Sequence, residues 1–363
     1  MKKILLSTVA VATLATVSNA ASELETLKAQ MAQMMKKIES LESNQATSTK
    51  KLDKLAKYTH VKSKAPTLKF SGKHYLGFVN DGDSKKFETR RNYFQVKAYL
   101  NKHDYFRTTF DTHQDATGDW KVRLKYAYLY LDNVLPNTGV ELGQAHRPWI
   151  DHESHTGWKY RSISKAFTED SHAAHLTNSA DIGFNFKTKL ENFSSELGVF
   201  NGEGYHGNIN EDEVSGEWRL TAHLLGGGTK KAKNKNTYAN ISYFGQKGAS
   251  AGSLDWQGIH AVYNQPEFLI AAQYLDTSSD TIAFGGAGDG TSINAEYRFA
   301  PKWNLIARTD KFDKDSGDEL ERSIAGIAYK YNKNIEFIAN SLVEKTNNIE
   351  NTNALMLTAE INW

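Results

Sequence analysis

Apolar and polar residues alternate along most of this chain, and the alternation is clearest in its last nine residues. There Leu355, Leu357, Ala359, Ile361 and Trp363 stand at every second position. Period two gives a β-strand with one apolar face. An edge strand of a soluble β-protein would also alternate, but soluble termini usually fray. The closing strand of a transmembrane barrel has a reason to end on an aromatic, because it pairs with the first strand and sets a ring at the membrane interface.

About sixteen such segments follow Pro66. They lie near 67–80, 89–101, 104–112, 120–132, 139–147, 181–188, 193–200, 216–225, 237–247, 255–264, 267–276, 291–300, 302–311, 321–332, 334–344 and 353–363. Each is near the length that a tilted membrane strand needs. Taking Trp363 as periplasmic, the inner connections include Asn332-Lys333-Asn334, Ala300-Pro301-Lys302, Asn264-Gln265-Pro266-Glu267, Leu190-Glu191-Asn192 and Asn101-Lys102-His103-Asp104, all tight. The outer connections include 312–320, 277–290, 248–254, 201–215 and 148–180, all longer and rich in Gly, Asp, Ser and Asn. This sorting of loops by parity belongs to outer-membrane barrels. One inner connection, 226–236, breaks the rule by being long and basic.

Upstream the period changes. Leu24, Leu27, Met31, Met34, Ile38, Leu41, Gln45, Ser48, Leu52 and Leu55 keep the three-four spacing of heptad a and d positions. That predicts a coiled coil over 21–57, weakened where Gln45 and Ser48 enter the seam. A lone amphipathic helix packed on the barrel is the competing reading. Residues 58–66 read as a linker to the barrel at 67–363. At the start, Lys2 and Lys3 precede a short apolar run that ends at Ser18-Asn19-Ala20, the pattern of a signal peptide over 1–20, removed on export.

Composition is consistent with that architecture. The 363 residues are 39% hydrophobic and 24% charged, with a net charge of +2, and the mean hydropathy is −0.57. No helical span fits a mature chain this polar, since one needs about 20 apolar residues in a row; a barrel needs only alternation. Five prolines suit long strands, and 17 Tyr, 17 Phe and 7 Trp can supply aromatic girdles. The absence of cysteine rules out disulfide and thiol chemistry.

Charge then fixes the faces. A Lys or Arg facing lipid at mid-depth costs roughly 2–4 kcal/mol. Lys121, Arg123 and Lys125 are therefore expected to face the lumen or rim, leaving Val122, Leu124, Tyr126, Tyr128 and Tyr130 on the outside. The same rule turns Arg91, Gln95 and Lys97 inward, along with Arg107, Arg219, Arg298 and Arg308. Inward acids are fewer: Asp111, Glu141, Asp181, Glu217 and Glu296 are the clear ones. The lumen is expected to be electropositive, especially on the second to fourth strands, and with about sixteen strands it should hold water. Cross-paired Arg and Glu on a merely structural inner wall is the competing reading.

The stretches Glu88-Thr89-Arg90-Arg91-Asn92-Tyr93-Phe94-Gln95-Val96, Asp119-Trp120-Lys121-Val122, Lys125-Tyr126-Ala127-Tyr128-Leu129-Tyr130 and Val140-Glu141-Leu142-Gly143-Gln144 together make a pattern. It resembles the phosphate-selective porin O/P family over roughly residues 67–190, and again at the C-terminal strand. The resemblance implies a sixteen-stranded trimeric outer-membrane porin whose third external loop, here 148–180, folds inward as a constriction. That loop brings Arg147, Lys159, Arg161 and Lys165, partly balanced by Asp151, Glu153, Glu169 and Asp170. The dense Arg and Lys arrangement behind phosphate selectivity in the family is not matched position by position.

Five of the 12 histidines fall together: His146, His152, His155, His172 and His175. Solvated loop histidines would bring charge to the constriction as pH falls. His172 and His175 could instead share a helical turn and bind a metal weakly, although no resident metal or cofactor is expected. His152-Glu153-Ser154-His155 lacks zinc-protease spacing, and Ser154 beside His155 has no strand geometry for catalysis, so no enzymatic activity is expected. The basic residues follow the strand period instead of forming a patch, which argues against nucleic acid.

The sequence thus predicts an all-β transmembrane antiparallel barrel of the bacterial outer membrane, with a periplasmic helical stalk. It would act as a porin for small hydrophilic, preferentially anionic solutes, with phosphate as one candidate. The other reading is a structural anchor that tethers the barrel through its coiled coil toward the cell wall. Expected partners are the lipid bilayer, two further copies of the chain, and the barrel-assembly machinery reading the C-terminal strand.

Overall fold

A computed structural model describes residues 29, 31–44, 47, 49–51, 66–202, 204–205, 214–248, 255–277 and 287–363. The chain divides into two units, Met1–Ala65 and Pro66–Trp363. In the first, residues 31–44 are helical, with Met31, Met34, Ile38 and Leu41 all exposed. Those four are the described part of the expected heptad seam. Self-association through it is not shown. The expected signal peptide and all of the expected linker except Pro66 lie outside the described residues.

The second unit is a closed barrel of sixteen strands. They are β1 (Thr67–Asn80), β2 (Lys85–Tyr99), β3 (Tyr105–Gln114), β4 (Trp120–Leu135), β5 (Thr138–His146), β6 (Ala180–Lys189), β7 (Phe193–Phe200), β8 (Ser215–Leu225), β9 (Tyr238–Gly248), β10 (Trp256–Asn264), β11 (Phe268–Thr277), β12 (Gly288–Ala300), β13 (Trp303–Lys314), β14 (Glu319–Lys330), β15 (Ile335–Thr346) and β16 (Ile349–Asn362); a short helix α1 (Ile150–Thr156) interrupts the β5–β6 connection. Every strand pairs antiparallel with its sequence neighbours. The last closes on the first in a register running from Lys73 opposite Asn362 to Asn80 opposite Leu355. Closure leaves no edge strand unpaired.

The terminal alternation does what the sequence implies. Leu355 and Leu357 are exposed on the outer face, while Met356 and Thr358 are buried inside. Trp363 exchanges backbone hydrogen bonds with Gly72 at 2.9 and 3.1 Å. Its indole Nε1 lies 3.0 Å from His74 Nε2, and the two rings are stacked. A Cβ at Gly72 would fall 2.3 Å from the indole ring, so a larger residue there would displace the ring from this seat.

Apart from 226–237, the long connections sit at the mouth opposite Trp363, but that mouth also carries short ones. The expected 312–320 connection contracts to 315–318, because β13 and β14 pair further out than their apolar cores suggest. Asn347 and Asn348, at φ 52° and 64°, form a two-residue turn between β15 and β16. Positive φ at both positions is the signature of a type I′ hairpin, which Asn tolerates.

One face assignment is corrected. Opposite Thr109 and Phe110, β4 supplies Tyr126 and Leu124, so Lys125 is the extra residue of a β-bulge. A bulge shifts the side-chain phase by one. Arg123 and Lys125 therefore face inward as expected, but so do Tyr126 and Tyr128, which are buried inside the barrel; Val122 and Leu124 remain outside. A second bulge lies where Tyr75 pairs Arg91 and Leu76 pairs Thr89. It leaves Arg90 unpaired in the ladder and turns it inward beside Arg91.

Much of the interior is filled by one loop. The β5–β6 connection crosses the lumen and packs on the inner wall of β9–β15. Trp149, Ile150, Phe167 and Leu176 join Phe244, Trp256, Leu275 and Phe312 in one apolar cluster. Trp158, Tyr160 and Ile163 join Ile306, Ile324, Ala328 and Ile338 in another. Apolar side chains on both surfaces leave water together, so the loop has a defined seat. One cavity lies between this loop and the inner face of β1–β4.

Candidate functional site: a cation-lined constriction

The loop is held by charge as well as by apolar packing. At its base Arg147 donates to Glu217 (Nε to Oε1, 2.7 Å) and to Gln246 (2.8 Å). Trp149 stacks on Phe244 with ring centroids 3.6 Å apart. Further along, Asp170 meets Arg322 of β14 at 2.5 Å. Arg322 also pairs with Asp310, which pairs with Arg308, and Arg308 donates to the Lys165 carbonyl at 2.8 Å. Arg90 adds a contact from the opposite wall, donating to the Ser162 carbonyl (2.8 Å) and to Thr358 Oγ1 (2.9 Å).

Across from the loop, a cavity of about 430 Å³ is lined on the wall by Tyr75, Arg91, Tyr93, Arg107, Lys125 and Tyr126, and on the loop side by Asp151, Ser154, His155, Lys159 and Arg161. The expected cations separate into two groups here. Lys121 pairs with Asp115, Arg123 with Asp111, Arg147 with Glu217, Arg161 with Glu169, Arg219 with Glu196, Arg298 with Glu296 and Arg308 with Asp310. Arg147 and Arg308 are buried in these pairs and do not line the passage, which corrects the sequence expectation for both. Lys121 lies at the outer rim and Arg298 at the inner one.

Arg91, Lys97, Arg107 and Lys125 form the second group. Among the described residues no carboxylate oxygen lies within 4.0 Å of their charged nitrogens. Tyrosine rings support them instead. The Arg91 guanidinium lies 4.8 Å from the Tyr75 ring and 4.6 Å from that of Tyr93. Arg107 lies 4.4 Å from Tyr126, Lys125 4.3 Å from Tyr205 and Lys97 4.3 Å from Tyr105. A ring face attracts a cation without neutralising it. Hydroxyls complete the support: Lys125 donates to Ser179 (2.7 Å) and Tyr205 (3.0 Å), and Arg107 to Thr109 (3.1 Å). Arg91 and Arg107 present their charge to the cavity, whereas Lys125, which also lines it, is only 2% exposed.

On the loop, burial raises the Glu169 carboxyl, but Arg161 and then Lys125 outweigh it and hold the group at about 2. Burial lowers the Lys159 ammonium to about 8, with Glu296 pulling the other way. Lys159 also donates to Asn234 at 2.7 Å. Lys165 is exposed on the loop.

The histidines do not behave as one solvated cluster. His146 is buried between Glu141 and Arg107, and His152 lies 3.3 Å from Ser242 Oγ, with burial pushing its imidazole well down. Of the five, only His155 and His172 are exposed. The alternative of a His172–His175 metal pair is not the grouping seen: Asp170, His172 and Glu344 bring their ligand atoms within 4.8 Å of one another, and His175, with a left-handed backbone at φ 49°, is not among them. Asp170 is already engaged by Arg322.

Arg90, Arg322 and the tyrosine supports were not singled out from the sequence. The adjacent Arg90-Arg91 was a usable signal, because strict alternation would put one of them in lipid and only a bulge avoids that cost.

The closed sixteen-stranded barrel with an inward-folded loop is the architecture of a porin, and solved structures bear this out at the level of fold. The chain is similar to a mutant of the Rhodopseudomonas blastica porin (TM-score 0.57, 11% identity, 82% of this chain and 100% of that one). It is equally similar to the trimer form of OmpT, an outer membrane protein of Vibrio cholerae (TM-score 0.56, 11% identity, 82% and 100%), and to outer-membrane expressed OmpT (TM-score 0.54, 13% identity, 82% and 98%). No family model matches the chain, so membership of the phosphate-selective O/P family is not confirmed. No curated protein matches either. The expectation that the chain is not an enzyme is withdrawn. The structures sharing this barrel include OmpT beside porins, and a fold held in common does not exclude catalysis.

Proposed function

We propose that this chain is an outer-membrane porin that passes small hydrophilic solutes by diffusion and favours anions. The observation that carries the reading is the grouping of Arg91, Arg107 and the more deeply buried Lys125 on one wall of the constriction, each without a carboxylate partner among the described residues and each held on tyrosine. A cleft in which one sign of charge predominates between low-dielectric walls, as here where the cations outnumber Asp151, concentrates counter-ions about tenfold or more. The wall acts on concentration and on the barrier to entry. Exchanging the three for glutamine (R91Q/R107Q/K125Q) should leave a conducting channel in planar bilayers whose anion preference is lost. Retention of that preference would refute the assignment of these residues. Phosphate is one solute of the class.

The trimer form of OmpT supports a homotrimer by analogy of fold. A second reading is favoured by the exposed row Met31, Met34, Ile38 and Leu41. This seam suits a coiled-coil stalk on the periplasmic side that tethers the barrel, and the two roles are compatible. Removal of residues 22–57 should leave conductance unchanged while weakening any cell-wall association.

A further inference from the structure

One group of ligand-type side chains toward the outer mouth has no part in the cation-lined wall. Glu344 stands near the outer end of β15 and is 6% exposed. Across the ladder it faces Arg322 of β14, but that guanidinium is committed to Asp310 and to Asp170 of the constriction loop. Among the described residues the Glu344 carboxylate accepts no hydrogen bond, and its one ionisable partner within 4.0 Å is His172 Nδ1, at 3.5 Å. A buried carboxylate with so little compensation is costly unless a cation meets it.

The loop supplies the rest of the group. Asp170, His172 and Glu344 bring one ligand atom each within 4.8 Å of one another. Asp170 is positioned through Oδ2, which takes Arg322 and the Lys165 backbone amide (3.0 Å). Among the described residues its Oδ1 accepts only the His172 backbone amide, at 3.2 Å, and so keeps a lone pair to give. The His172 ring is exposed, which opens the group to the medium. One imidazole with two carboxylates suits zinc and similar first-row cations, with water completing the coordination. Calcium and magnesium prefer oxygen alone.

We propose that Asp170, His172 and Glu344 form a binding site for zinc or a similar divalent transition metal, reached from the outer mouth, that ties the constriction loop to β15. Two ligands come from the loop and one from the wall, so the bound metal is a cross-link beside the Arg322–Asp170 pair. This inference is independent of the anion reading of the pore. The test titrates zinc chloride into the folded full chain in detergent micelles by isothermal calorimetry. Wild type should bind zinc saturably. H172A and E344Q should each weaken that binding by about tenfold or more. His172 is an exposed loop residue, so H172A tests the site without touching the barrel. H155A changes the loop's other exposed histidine, which lies 3.6 Å from Asp151, and should bind as wild type does. Equal binding by wild type, H172A and E344Q would overturn the proposal, as would a wild type with no saturable binding. Loss in H155A with retention in H172A would overturn it too, by moving the metal to Asp151 and His155. In planar bilayers, zinc in both chambers should quiet open-channel fluctuations of wild type and leave H172A unchanged; equal noise in wild type with and without zinc would overturn the cross-link.

Discussion

At the scale of residues, the decisive distinction is between cations that are spent on carboxylates and cations that are not. Arg308 and Arg322 are as basic as Arg91 and Arg107, but Asp310 and Asp170 neutralise them inside a buried network. The tyrosine-held group is left to act on solute. Sequence could say that these side chains point inward, since lipid penalises the alternative. It could not say which of them would find an acid, because that depends on strand register. It also misplaced Tyr126 and Tyr128, since nothing in local composition announces the bulge at Lys125. Lys159 gives a pH test at this scale. Its ammonium, lowered to about 8 by burial, is charged below that pH and neutral above it. Anion preference should therefore decline as pH rises from 7 to 9, and Lys159→Met should flatten that decline. An unchanged profile in the variant would assign the effect elsewhere.

At the scale of elements, the β5–β6 loop sets how much of the lumen stays open. Its length and its place after Leu142-Gly143-Gln144 were legible. Its seat on β9–β15 was not, because the complementary residues Phe244, Phe312, Ile306 and Ile338 look like ordinary inward positions of separate strands. Arg322 is the clearest electrostatic fastening. Arg322→Met leaves Asp170 and Asp310 without it, and removing one partner of a buried pair costs about 3–5 kcal/mol. The barrel should persist while the loop loosens, so single-channel conductance should rise and become noisier. Quiet currents of unchanged size would show that the apolar clusters hold the loop alone. Arg147→Met, which strands Glu217, should act similarly at the loop base.

At the scale of the whole molecule, strand number and closure were readable because each strand repeats one simple rule, apolar outward and polar inward. The mouths were less readable: some outer hairpins are as tight as inner turns, and the inner segment 226–237 carries its own basic cargo. Trp363 joins the two ends of the barrel by bonding to Gly72 and stacking on His74. Trp363→Ser should lower the yield of heat-resistant folded barrel on gels while leaving the selectivity of the channels that do insert unchanged. Normal yield with altered selectivity would move the residue from closure to permeation.

The proposed anion preference depends on the sign of the field in the lumen. The most direct test is the zero-current potential of the wild-type channel in a planar bilayer under a potassium chloride gradient. Arg91, Arg107 and Lys125 predict a potential whose sign reports chloride moving more readily than potassium; the opposite sign, or no conductance at all, would contradict the account.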